Sequence, residues 1–295
     1  MHQRSWRTLI AGGAALAVGV TLTAFGAPAH AAGVPGITSE ARAQDEVMNY
    51  AVNLTDDASR YDFNAAVSKA SENGVVLAQY PEFNTFFVQS VKAAFAPTLG
   101  KSLVDAGISY QSIGPTRYKT VTGSEVRTEQ PQTTASEANA VADAAGTHVA
   151  GTIAAAHNAY GVDGVAPSAT IVAIKTSNEA GSFYPEYVAW VFDWAAEHDI
   201  DVTNSSYYMD PYAFWMPTEG SQAAGLEAAS RAIRYAKNHG VVNIAAEGND
   251  NDDHDNPTID KASPNDVEVP RSSATWSAAS TCPPCSTIPL SPCPP

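Results

Sequence analysis

Acyl transfer by a serine needs a nucleophilic hydroxyl, a base within hydrogen-bond reach of it, and a carboxylate that orients the base. Hydroxyl, amide, imidazole and carboxylate side chains stand at several places in the chain. Ser205 and Ser206 are followed by Tyr207 and Tyr208, Asn249 follows Gly248, and His148 sits in Gly146-Thr147-His148-Val149-Ala150-Gly151, with Asp143 just ahead of it. Two other groups have chemistry-bearing side chains. Asp250, Asp252, Asp253, His254 and Asp255 crowd together after Asn249. A calcium loop needs roughly six to eight oxygen ligands in a fixed order, which this spacing does not reproduce. The run reads as a solvated acidic loop, calcium binding being a weak alternative, and no cofactor is expected. Cys282 and Cys285 have CxxC spacing, but no βαβ context surrounds them and a fourth metal ligand is missing. With Cys293 they are the only cysteines, so none can staple the body of the chain.

The elements that would position these groups fall into two patterns. Asn49 to Leu54 alternates as a strand, with Tyr50, Val52 and Leu54 on one face. Asp62 caps a helix to Ser71, with Phe63, Ala66, Val67 and Ala70 on its inner stripe. Val75–Gln79 and Thr85–Gln89 are strands. A helix with Pro97 in its first turn ends near Gly107, and Ile108–Ile113 closes the unit. The order βαββαβ over residues 46–123 is the ferredoxin-like split. Residues 124–144 are polar, without a period, and read as a linker. From Thr147 onward helices alternate with strands: a helix to His157, strand Ala169–Ile174, helix Pro185–Glu197, strand Ile200–Ser205, helix Leu226–Asn238 and strand Val241–Ala246. That alternation implies a parallel sheet covered on both faces. Residues 272–295 form an irregular Pro/Cys tail.

Charge and the first residues bound the setting. Thirty-one acidic against sixteen basic residues give a net charge of −15. So acidic a surface repels phosphate backbones and anionic lipid, which argues against nucleic acid and membrane surfaces as partners. Arg4 and Arg7 precede an apolar run from Leu9 to Phe25, followed by Ala27-Pro28-Ala29-His30-Ala31. This reads as a secretory signal peptide over residues 1–32, cut near Ala31 or Ala32, and places the protein outside the cell. No later segment approaches the roughly 18 uninterrupted apolar residues of a membrane span.

Gly146–Gly151 resembles the segment around the catalytic histidine of subtilisin-like serine proteases. Further landmarks follow in the family's order: Gly164-Val165-Ala166-Pro167, then Val202-Thr203-Asn204-Ser205-Ser206, similar to the strand that backs onto bound substrate, then Ala245-Ala246-Glu247-Gly248-Asn249, similar to the turn bearing the oxyanion-hole asparagine. The α+β unit resembles the family's propeptide, an intramolecular chaperone and inhibitor. The resemblance implies an α+β ferredoxin-like propeptide followed by an incomplete α/β subtilisin-like parallel-sheet domain over residues 145–271, in a secreted precursor of actinobacterial type. It implies polypeptide substrates, or a related protease, as partners of a monomer. It assigns Ser205, Ser206 and Tyr207 to substrate binding and Asn249 to the oxyanion hole. Such a donor is worth roughly 10²–10³ in rate, a magnitude established on subtilisin, a member of that family.

The same resemblance places the catalytic histidine at Ala145, which has no proton acceptor. His148 matches the second histidine of the motif and reads as a helix-packing residue. The family's Asp-Ser/Thr-Gly motif has no counterpart between Gly107 and Ala145, where Asp143 is the only aspartate. Its Gly-Thr-Ser motif has none after Gly248, beyond which there is no glycine. The pattern reads as an internal deletion with a replaced C-terminal end. The expected product is catalytically dead, with a sheet whose edges expose apolar side chains. A propeptide-like binding module that inhibits, or assists folding of, a related protease is the alternative.

Overall fold

The computed structural model describes residues 7–11, 47–91, 94–121, 140–178, 180–246, 248–249, 259–260, 263–266 and 274–275. Residues 12–32 of the expected signal peptide, the linker residues 33–45 and 124–139, the acidic run 250–255 and the cysteines lie outside them. The elements are β1 (Arg7–Ala11), β2 (Met48–Leu54), α1 (Arg60–Ser71), β3 (Val75–Tyr80), β4 (Thr85–Ser90), α2 (Phe95–Asp105), β5 (Tyr110–Pro115), α3 (Ala140–Ala154), β6 (Thr170–Ile174), α4 (Pro185–Glu197), β7 (Val202–Ser205), α5 (Ala223–Asn238), β8 (Val242–Ala245), β9 (Ile259–Asp260) and β10 (Ala274–Thr275).

Residues 47–121 form an antiparallel sheet in the order β3-β4-β2-β5. Alternation builds both of its faces. Tyr50, Val52 and Leu54 of β2, with Phe86 and Val88 of β4, point to α1 and α2 and pack on Phe63, Ala66, Ala70, Phe95, Leu99 and Leu103. The residues between them, Asn49, Ala51, Asn53, Thr85, Phe87 and Gln89, face the other way and are also buried. The second covering layer is α4 and α5, so Ala51, Phe87 and Tyr80 join Val188, Phe192, Ala229 and Ile233 in one apolar cluster.

Local chemistry explains the ends of these elements. The cap of α1 is Ser59 rather than the expected Asp62. The Ser59 side chain accepts from the Asp62 amide while the Asp62 carboxylate accepts from the Ser59 amide, a reciprocal box that satisfies two otherwise orphaned donors. Pro97 falls in the first turn of α2, where its missing N–H costs nothing.

A second sheet is parallel, with order β6-β1-β7-β8. Its strand β1 comes from within the expected signal peptide. The run Ile171–Ala173, expected to be buried, is half-buried to exposed because β6 is an edge. At the opposite edge Val242 and Ile244 of β8 are about half exposed. α3 begins at Ala140, inside the stretch read as a linker, and stops at Ala154 rather than His157. Its opening is rich in alanine, which favours helix without any apolar period to reveal it. Gly164-Val165-Ala166 closes the far end: the three amides donate to the carbonyls of Ala155, Thr152 and Ile153. A Cβ at Gly164 would stand 2.3 Å from the Ala155 nitrogen, so only glycine fits there. In the expected irregular tail, β10 pairs antiparallel with β9. No helix among the described residues is long and apolar enough to cross a membrane.

Candidate functional site

β7 and β8 run side by side, with Val202 opposite Val242 and Ser205 opposite Ala245. Parallel pairing brings their C-terminal ends to the same edge, the usual place for a site in an α/β sheet. Inside the ladder the Thr203 hydroxyl donates to Asn243 Oδ1 at 2.8 Å, and Asn243 donates onward to the Ile233 carbonyl. This buried pair fixes the two strands on α5. Beyond it the Ala246 amide donates to the Ser205 carbonyl at 3.2 Å, so the loops after both strands leave together.

The expected substrate residue Ser205 therefore stands beside Ala245 and Ala246, four and three residues ahead of Asn249 in sequence. Ser205 is buried, and its hydroxyl makes no hydrogen bond. Ser206 is exposed and accepts from Asn204 Nδ2 at 3.0 Å. The Tyr207 ring stacks on Phe183 at 4.5 Å. Gly248 turns the chain with φ +98, a conformation open to glycine, and Asn249 after it is exposed. Among the described residues, no histidine hydrogen-bonds Ser205, Ser206 or Asn249. His148 is exposed on α3, and Ala145 lies in the same helix. The exposed His157 contacts Asp163 at 2.5 Å in the loop after α3, a histidine–carboxylate pair unnoticed in the sequence. No serine accompanies it among its hydrogen bonds.

A loop after β7 is tied down by carboxylates. Asp210 accepts from the Phe183 amide at 2.6 Å and from Asn265, which also donates to the Tyr208 hydroxyl. Burial raises the Asp210 carboxyl above its ordinary range, against the pull of these donors. Asp266 accepts from the amides of Tyr118 and Lys119, joining the segment after β5 to the same loop.

Among the described residues, a more heavily built polar site lies elsewhere, between the antiparallel sheet and the helices α4 and α5. Glu186, in the first turn of α4, is buried. It accepts from Asn49 Nδ2 at 2.7 Å and pairs with buried Arg117, whose guanidinium lies 3.7 Å over the Tyr184 ring. Burial alone would raise the Glu186 carboxyl, but the Arg117 charge and the donated hydrogen bonds outweigh it and hold the group below its ordinary value. Asn53 donates to Ser112 and to the Ala224 carbonyl in α5, both at 2.9 Å. Arg231 of α5, also buried, donates to the carbonyls of Phe83 and Asn84 and to Gln111 at 2.7 Å. A cavity lined by Asp56, Glu82, Asn84, Arg231, Arg234 and Tyr235 opens beside it. Reasoning from sequence missed this interface. Its signal was polar residues, Asn49 and Asn53, placed strictly between the apolar positions of β2.

Residues 40–283, most of the chain, match the family model described as the subtilase family, Peptidase_S8. This chain belongs to the subtilase family. Among curated relatives, the subtilase is 39% identical over 104 residues to Subtilisin Savinase of Lederbergia lenta, a stretch covering 35% of this chain and 34% of that protein. It is 36% identical over 114 residues to Subtilisin E of Bacillus subtilis (strain 168), covering 39% of this chain and 26% of that one. Its match to Minor extracellular protease Epr of the same organism covers 14% of the relative. The chain thus spans about a third or less of the length of these curated relatives. Among solved structures, the epidermin leader peptide processing serine protease of Staphylococcus aureus superposes with a TM-score of 0.48 at 16% identity, over 70% of this chain and 61% of the other.

Proposed function

We propose that this subtilase is a secreted, subtilisin-like serine endopeptidase by descent that does not itself hydrolyse peptide bonds. The observation that carries the reading is Ala145 in α3, at the position where the family resemblance calls for the catalytic base. A methyl group cannot take the proton of an attacking hydroxyl. Neither Asp-Ser/Thr-Gly nor Gly-Thr-Ser occurs in the chain to supply the other two roles. Asn249 then has no oxyanion to stabilise, and Ser206 and Tyr207, just beyond the end of β7, are what remains for an extended peptide to lie against. The division follows the sequence: a signal peptide over 1–32, a ferredoxin-like propeptide unit over 46–123, and an incomplete peptidase unit over 145–271 left by an internal deletion. Casein incubated with the purified full chain is expected to release no soluble peptide above a buffer control. Release that a serine-directed inhibitor abolishes would sink the reading.

The buried polar face of the 46–123 unit favours a second reading. Asn49, Asn53 and the β4 residues meet α4 and α5 through partners that water would otherwise satisfy, as a recognition surface does. Such a unit supplied alone would bind the matching helices of an intact relative and inhibit it or aid its folding. Residues 46–123, shown by circular dichroism to be folded, are expected to slow a related intact protease at micromolar concentration. A folded unit without effect removes this alternative.

A further inference from the structure

The parallel sheet has a gap that the chain fills from far away in sequence. β6 and β7 do not pair with each other; both pair with β1. On one side Arg7 stands opposite Thr170 and Ala11 opposite Ile174. On the other, Thr8 stands opposite Val202 and Ala11 opposite Ser205. The gap is one strand wide, about 10 Å between the flanking backbones at the usual strand spacing. Without β1, β6 would have no partner in this sheet, and the inner edge of β7 would present unpaired N–H and C=O groups. Such groups are costly when covered and adhesive when open. α3 packs across β1 and β6, so the gap lies under a helix. Arg-Thr-Leu-Ile-Ala suits the position: it has no proline or glycine, and its β-branched and apolar residues favour a strand paired on both sides.

We infer that the space between β6 and β7 is a strand-acceptor site, that its ligand is an extended apolar segment lying parallel to both strands, and that residues Arg7–Ala11 are the donor. Nothing in the pairing requires the donor to remain covalently attached, because recognition runs through main-chain hydrogen bonds, as in strand addition to sheet edges. The same segment supplied as a separate peptide fits the same slot. The N-terminal stretch thereby has two incompatible uses: cut off as a signal peptide it leaves the acceptor open, and retained it completes the sheet.

Hydrogen exchange on the full chain tests it. In the wild type, amides of residues 8–11 are expected to exchange at least tenfold more slowly than in the free peptide Ser5–Gly13. Ile10→Pro removes a donor and forces a clash in a central strand. It is expected to speed exchange in residues 171–174 and 203–205 at least tenfold while β2 and β4 keep their protection. Excess Ser5–Gly13 peptide is then expected to restore protection in both flanking strands, and a scrambled peptide to leave them open. Free-peptide exchange at residues 8–11 of the wild type overturns the inference, as does unchanged exchange in β6 and β7 of a folded Ile10→Pro variant. Should that variant lose all protection, the wild-type rates at residues 8–11 decide alone.

Discussion

Asn49 and Glu186, 137 residues apart in the chain, meet in the interior with the amide nitrogen 2.7 Å from the carboxylate. Arg117 shares that carboxylate, so β2, the segment after β5 and the start of α4 are joined at one buried charge. Removing one partner of such a pair leaves the other unpaired in a poor solvent for charge, at a cost of about 3–5 kcal/mol. Glu186→Ala is therefore expected to lower the urea midpoint sharply, and Arg117→Met likewise. A double variant, Glu186→Met with Arg117→Met, is expected to recover part of the loss. If the single variants unfold at the wild-type midpoint, the pair does not join the layers.

The same carboxyl gives an acid limb to stability. Its folded value lies below the ordinary one. The stabilisation is therefore complete above the ordinary carboxylate range and is lost as pH falls through the folded value. Thermal unfolding of Glu186→Gln followed across the acid range is expected to show a flatter decline than the wild type, and an identical decline would assign the acid limb to other groups.

Asp193 gives a dependence of opposite sign. It faces Glu197 on its own helix, Glu82 in the turn between β3 and β4, and His239 at the C-cap of α5; burial first, then the two glutamates, raise its carboxyl from 3.8 to about 7, and His239 partly offsets them. Between those values the folded protein holds a proton that the unfolded chain has released, so stability falls as pH rises through the window. Asp193→Asn is expected to melt higher than the wild type at about pH 8, the advantage shrinking toward pH 4. Equal melting temperatures at both ends would contradict the assignment.

Sequence patterning made most of this scaffold legible. Helix α4 begins and ends where its Pro185 start and apolar spacing place it, and β2 and β4 lie within a residue of expectation. Two features were hidden for physical reasons. A short apolar run with basic residues before it satisfies both an export signal and a central strand, so Arg7–Ala11 could not be assigned to the sheet without its partners. Asn49, Asn53 and Gln89 carry no apolar signal of their own, yet all three are buried, and Asn49 and Asn53 find partners in α4 and α5. At the sheet edge, the parallel pairing of β7 with β8 agrees with the alternation of strands and helices, while the His157–Asp163 contact depends on a loop conformation that no motif encodes.

Gly225 of α5 illustrates packing over propensity. A Cβ there would stand 2.8 Å from the Trp215 ring and 3.0 Å from Pro185. Trp215 cannot give way easily, being fully buried with its indole N–H bonded to the Met209 carbonyl at 2.9 Å. Alanine would gain about 1 kcal/mol of helix propensity against about 1–3 kcal/mol of overpacking. Gly225→Ala is expected to lower the melting temperature; a rise would show that the α4–α5 contact has room.

Arg231 tests the helix-to-sheet clamp. Its planar fork reaches the Phe83 and Asn84 carbonyls, Gln111 and the exposed Asp56 at once. A lysine keeps the charge but cannot bridge these acceptors. Arg231→Lys is expected to cost about 1–3 kcal/mol in urea unfolding and to speed proteolysis at residues 82–84. A variant as stable and as resistant as the wild type would remove the clamp from the account.

Intact-mass measurement after incubation with an active-site-directed fluorophosphonate reads whether a subtilase with alanine at position 145 holds an activated serine. The expected spectrum contains the unmodified chain alone, alongside complete labelling of an intact subtilisin treated in parallel. A stoichiometric phosphonyl adduct mapped to one serine would contradict the proposed inactivity.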